Sequence, residues 1–246
     1  KDEEGVLVTY EEANAVFAND EQRNNDRWVT CDLADLGANN FLALAWDGLH
    51  IIDIEILTMS RPKENAEHLR AFAARNNVAD SHIIFDAVRA GIYINDYVPN
   101  AVPFEGYRAP MGVNALQYMK LKDCCYGKLI YLVKNGYISC SDEVAKSTFL
   151  HQKIKDRITI QEEFVREIRV VRFTDAQNGK KRLLTKKEMN KQLGSGQSMD
   201  LCDPMAMRMY PLLNIADGYE LESTRGEYDR YHEEVESGHR INIYDD

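Results

Sequence analysis

Trp28-Val29-Thr30-Cys31-Asp32 is a β-rich apolar run that stops at a carboxylate, and the same pattern returns at Ile83-Ile84-Phe85-Asp86. Between the two, residues 36–40 are turn-like. Residues 41–46 and 49–58 read as two further strands, joined tightly through Asp47 and Gly48. In the second of these, the spacing of Ile52, Ile54 and Ile56 predicts one common face. Pro62 opens a helix whose apolar positions Ala66, Leu69, Phe72 and Ala73 recur at helical spacing. A short helix ends near Tyr97, and a short strand is expected at 101–104. Strands that begin as antiparallel neighbours and then alternate with helices point to an α/β domain, a mixed sheet flanked by helices.

Further along, residues 115–135 read as one long helix closed by Gly136, and more helix is expected within 142–167. Residues 168–173 turn β. Asn178-Gly179 is a hairpin signal before 181–184. Thr185 with Glu188 makes a capping pattern for a helix to 193, and 203–213 is an apolar, Met-rich helix. The expected organisation is an acidic lead-in at 1–27, a core domain at 28–217 and a charged, loosely ordered tail at 218–246. The start at Lys1, without Met, reads as a piece cut from a longer chain.

The chain has 246 residues, enough for a substantial core, with 44% hydrophobic and 28% charged residues. Thirty basic against forty acidic residues give a formal charge of −10, which excludes a uniformly basic nucleic-acid-binding domain. No apolar run approaches the roughly 18 residues of a membrane span. Five cysteines, an odd number with no CxxC pair, argue against a disulfide scaffold and for reduced thiols in a cytoplasm. The six histidines form no HxxxH pair, so no zinc site is expected. Cys31 adjoins Asp32, but strand alternation turns it to the opposite face, as core packing.

The acids carry the chemical signal. Asp32 and Asp86 each close an apolar strand, and in open α/β sheets sites gather at such strand ends. A third group is Asp200-Leu201-Cys202-Asp203-Pro204. There Asp203 is placed to cap a helix and Pro204 to occupy its first position. Each aspartate alone suits a turn or a cap as well as a catalytic role. Collected together, they suit Mg²⁺ or Mn²⁺, which take hard oxygen ligands. Two such ions roughly 4 Å apart are what metal-dependent phosphodiester hydrolysis requires. Without cations the cluster repels itself and should lower stability. The basic run Lys180-Lys181-Arg182, with Lys186 and Lys187, is the candidate DNA contact; a solvated face is the alternative.

Taken together, Trp28 to Gly37, Ile83 to Asp86 with the Gly91–Asp96 loop, and Ser198-Met199-Asp200-Leu201-Cys202-Asp203 resemble the C-terminal nuclease domain of the large terminase subunit of tailed bacteriophages. Arg89, Met199 and Pro204 stand where that family often has glycine, proline and alanine, while the acids are retained. The resemblance spans about residues 27 to 213 and implies an RNase H-like mixed sheet with helices on both faces. It implies Asp32, Asp86 and Asp203 as catalytic metal ligands, with Asp200 as the alternative third acid and Asp35 as an auxiliary one. It further implies cutting of double-stranded DNA with two divalent cations, Mg²⁺ or Mn²⁺, in the bacterial host cytoplasm. The partners it implies are a packaging ATPase domain, the small terminase and the portal. No GxxxxGK[ST] loop occurs, so the motor is not in this chain. A resolvase- or transposase-type nuclease, and a non-catalytic docking domain of the motor, are the other readings.

Overall fold

A computed structural model describes residues 6–19, 23–33, 41–57, 62–88, 93–151, 155–176, 178–185, 188–189 and 200–216. The expected tail at 218–246 lies outside them, as do Asp35, Lys186 and Lys187.

The centre is a six-stranded mixed sheet. Its strands are β1 (Arg27–Asp32), β2 (Phe41–Asp47), β3 (His50–Leu57), β4 (Ile83–Asp86), β5 (Val102–Phe104) and β6 (Ser139–Cys140), in the order β5-β4-β1-β2-β3-β6. The meander β1-β2-β3 is antiparallel, while β4 beside β1, β5 beside β4 and β6 beside β3 are parallel. Every residue of β2 is buried, as a central strand covered on both faces requires.

The pleat sorts side chains onto two cores. On one face Val29, Cys31, Ala43, Ala45 and Phe85 pack against α2 (Pro62–Arg75) and α3 (Ile94–Tyr97). On the other, Leu42, Leu44, Trp46 and Ile84 join a larger core with α1 (Tyr10–Ala15), α5 (Leu121–Lys134), α7 (Ile160–Ile168) and α8 (Cys202–Ala216). Helices thus cover both faces of the sheet, as the RNase H-like reading expects.

Several expectations change. The boundary at residue 28 falls inside the fold, because Val8, Ala13 and Val16 of the lead-in are buried in the main core. Thr9 and Glu12 cap α1 reciprocally, and Asn19 donates to the carbonyls of Gly136 and Ile138. Ile52 leaves the face of Ile54 and Ile56, because a bulge between Ala45 and Trp46 inserts it as an extra residue. It packs on the smaller core, while the other two join the larger one.

The long helix at 115–135 is broken. A short α4 (Asn114–Gln117) ends at extended Tyr118, which pairs with Lys181, and α5 starts afresh at Leu121. Asp123 explains the break: one carboxylate oxygen takes the Lys120 N–H and the other takes the Leu183 N–H. The helix expected within 142–167 is instead α6 (Asp142–Lys146), a hairpin of β7 (Thr148–His151) and β8 (Asp156–Thr159), then α7. Thr159 and Glu162 form a capping box that starts α7 after the hairpin. Asn178-Gly179 does turn a hairpin, between β9 (Phe173–Asp175) and β10 (Lys181–Leu183), with Gly179 at a φ of +76°.

Candidate active site at the strand ends

Parallel pairing of β1 and β4 brings the first two acids together. The register is Val29 with Ile83, Thr30 with Ile84 and Cys31 with Phe85, so the next step sets Asp32 beside Asp86. Both are the last residues of their strands and both are half-buried. Alternation turns them to the face of Thr30, Leu42 and Ile84, the one covered by α5 and α8. Asp86 accepts the Val88 N–H at 3.0 Å, an Asx turn at the end of the strand.

Cys31 points the other way, into the smaller core. Burial first, and then the nearby charges of Asp32, Glu55 and Asp86, push its thiol well above the usual range. It is a packing residue and not a nucleophile. All five cysteines are buried and free.

The third acidic segment meets this face through α8. Asp200 is half-buried in the turn, and the helix begins at Cys202, so Asp203 is its second residue and not its cap. The cap comes from a distant residue: Glu167, at the end of α7, accepts the N–H groups of Leu201 at 3.1 Å and Cys202 at 2.8 Å. Glu167 is fully buried; burial, and then the charges of Glu163 and Asp200, raise its pKa well above the usual carboxylate value. No sequence pattern announces this pairing, because α7 and the start of α8 are 34 residues apart.

Asp203 is only 6% exposed and is already engaged. Tyr126 donates to its Oδ1 at 2.5 Å, and the Lys122 ammonium lies 2.7 Å from the same oxygen. Burial, and then the Asp203 charge, push the Tyr126 phenol far up, so it remains a donor at any working pH. Lys122 belongs to the same end of the sheet as the acid pair. Phe104 of β5 stands in register with Asp86, and the Lys122 N–H donates to the Gly106 carbonyl two residues further on. Sequence reading missed Lys122, Tyr126 and Glu167; lysine and tyrosine one turn apart on a helix are too common to stand out.

The basic hairpin docks beside this edge. Met119 N–H donates to the Lys181 carbonyl, which fixes β10 next to the start of α5. Lys181 is exposed and Lys180 half-buried; Arg182 is partly used, donating to the Leu183 carbonyl and lying 3.8 Å from Glu188.

The donor set fits a hard divalent cation. Two carboxylates stand side by side on one face, and the neighbouring thiol is turned away. Among the described residues no three His, Cys, Asp or Glu side chains stand close enough to share one ion. Mg²⁺ is commonly held by one or two carboxylates, with water and phosphate completing its shell, so the pair suffices as an anchor.

This architecture, a mixed sheet with the β1-β2-β3 meander and helices on both faces, is the RNase H-like fold of phage terminase nuclease domains. In particular, the chain resembles the nuclease domain of the large terminase subunit gp2 of bacterial virus Sf6. The TM-score is 0.65 at 17% identity, over 83% of this chain and 98% of that one. A mutant of that domain solved with manganese and beta-thujaplicinol matches equally, with a TM-score of 0.65 at 17% identity and the same 83% and 98% coverage. The large terminase nuclease from thermophilic phage G20c with bound cobalt matches with a TM-score of 0.51 at 10% identity, over 83% and 96% of the two chains. No family model and no curated protein matches the sequence. Among the described residues no helix is long and apolar enough to cross a membrane.

Proposed function

We propose that this chain is a metal-dependent endonuclease that cuts double-stranded DNA during phage genome packaging. The observation that carries the reading is the register of β1 against β4, which sets Asp32 beside Asp86 at the C-terminal edge of an RNase H-like sheet. Divalent cations bound by similar folds, manganese in the Sf6 domain and cobalt in the G20c domain, agree with that donor pair.

Asp32 and Asp86 would hold the cations, Mg²⁺ or Mn²⁺, with water and phosphate oxygens completing the shell. From the third segment the further candidate is Asp203, whose carboxylate already carries one cation, the Lys122 ammonium at 2.7 Å, with Asp200 as the alternative. Asp35 remains a further candidate by sequence alone. Bound there, two divalent cations supply Lewis-acid activation of water and stabilisation of the leaving oxygen. The protein's share is to fix two negative charges on rigid strand ends, where the backbone ladder holds their spacing. Cys31 is turned into the smaller core, and burial and the Asp203 charge keep the Tyr126 phenol protonated, so neither serves as a nucleophile. Lys180, Lys181 and Arg182, with Lys186 and Lys187, would offset the chain's negative charge where DNA approaches. An ATPase domain, the small terminase and the portal would deliver DNA in the bacterial cytoplasm.

Plasmid cleavage in Mn²⁺ tests the proposal. The wild-type chain is expected to linearise supercoiled DNA, and Asp32→Ala and Asp86→Ala to lose that activity. Undiminished cutting by both variants would refute it.

A further inference from the structure

We propose that the loop joining β5 to α5 is an apolar wedge that seats against the base stack of a DNA duplex. The inference rests on the reading of the chain as a DNA-cutting enzyme.

The loop is built on a fixed base. It leaves the sheet after Phe104, the register partner of Asp86, whose carbonyl also accepts the Ala87 N–H. Its two legs are then clamped: Lys122 N–H donates to the Gly106 carbonyl at 3.0 Å and Leu121 N–H to the Arg108 carbonyl at 2.8 Å. Gly106 is packed so closely that an added Cβ would come 2.8 Å from the Phe104 ring and 3.1 Å from Cβ of Lys122. A loop whose ends meet in this way holds its tip in one place.

The tip is apolar and faces water. Leu116 is 77% exposed, Val113 62% and Met111 56%. Val113 and Leu116 lie on one turn, closed by the Leu116 N–H to Val113 carbonyl bond at 3.1 Å, so their side chains are neighbours. Exposed aliphatic groups gathered on a rigid tip mark a contact surface.

The charge around the tip names the partner. Met119 N–H donates to the Lys181 carbonyl, so the β9–β10 hairpin adjoins the loop. Segments 105–122 and 173–183 together hold six basic residues (Arg108, Lys120, Lys122, Lys180, Lys181 and Arg182) against two acidic ones, in a chain of formal charge −10. Basic residues around an aliphatic tip suit a polyanion with an apolar interior. In a duplex the phosphates meet the cations, and Leu116 and Val113 press on a base step and part it.

The test is duplex affinity in chelator, by fluorescence anisotropy, for a fully paired duplex and for the same duplex with one mismatched pair. A mismatched step is already loosened, so a wedge does less work there. The wild-type chain is expected to bind the mismatched duplex about tenfold more tightly, and 2-aminopurine beside the mismatch to brighten on binding. The double variant Val113→Ser, Leu116→Ser should bring the two affinities within about twofold while leaving the salt slope unchanged; both positions are exposed, so the fold is not disturbed. Lys181→Ala should instead make that slope shallower by about 0.9 and keep the preference. Equal affinities in the wild type, a preference that survives in the double variant, or no duplex binding at all overturns the wedge. So does a double variant that binds duplex as the wild type does but turns a dimer into a monomer in sedimentation, which would make the tip a contact between copies of the chain. Binding is read without metal, so the two readings fail separately. Cutting that survives Asp32→Ala would sink the proposed function and leave the mismatch preference standing.

Discussion

Replacing Asp32 by Asn should make the metal-free protein more stable and the metal-loaded protein less so. Adjacent strands lie about 4.8 Å apart, which sets the scale of separation for the Asp32 and Asp86 carboxylates. At about 5 Å and an effective dielectric of about 20, two like charges cost about 3 kcal/mol. Both groups are half-buried, and solvent screening leaves on the order of 1 kcal/mol. Asn keeps the shape and an acceptor oxygen while removing one charge. For a domain of this size, 1 kcal/mol corresponds to about 2–4 °C in Tm. Mn²⁺ at about 100 times its Kd adds about 2.7 kcal/mol to a protein that binds it at one site. Thermal unfolding by circular dichroism should therefore give a reversed order: the variant above wild type in chelator, wild type above the variant in Mn²⁺. A variant that melts below wild type in chelator, or that gains as much from Mn²⁺, refutes the reasoning.

Three other perturbations probe the frame around the site. His82 packs edge-on against Trp28 with ring centroids 4.4 Å apart; burial, and then the Arg208 guanidinium, lower its pKa. Its folded form resists protonation, so stability is intact above about pH 6.5 and declines as pH falls through the lowered pKa. His82→Gln should flatten the fall of Tm below about pH 6.5, and an unchanged slope would contradict this. Gly127 lies inside α5, where an added Cβ would come 2.8 Å from Cζ of Tyr118. Gly127→Ala gains about 1 kcal/mol in helix propensity but must displace a ring packed against Phe173, so a net loss of about 1 kcal/mol is expected in urea unfolding. The native protein should react with no equivalent of a thiol reagent over minutes, because every cysteine is buried; fast reaction of Cys31 would contradict its placement on the core face.

The sheet was legible because its strands are apolar runs closed by turn residues and carboxylates. That Asp32 and Asp86 end two apolar strands is readable from position alone, and the parallel register of β1 against β4 sets them side by side. What the sequence hid is tertiary. Asp203 looks like a helix cap, yet the cap is Glu167, from a helix that meets α8 only in the folded chain. The run at 115–135 has helical composition, but Tyr118 is drawn into pairing with Lys181 and Asp123 serves two backbone amides. Helix propensity is a small term that such bonds override. The lead-in looks like a polar linker, but Val8, Ala13 and Val16 among its apolar residues are buried in the main core, and Leu7 and Phe17 pack against it. Ile52 alternates correctly in sequence and is displaced by a single bulge.

That Asp32 and Asp86 form one cation site is tested most directly by a double-mutant cycle in calorimetric Mn²⁺ titration. Wild type, Asp32→Ala, Asp86→Ala and the double variant are compared. A shared site means that each single substitution removes as much binding as both together. Independent, additive losses, or binding retained in either single variant, would contradict it.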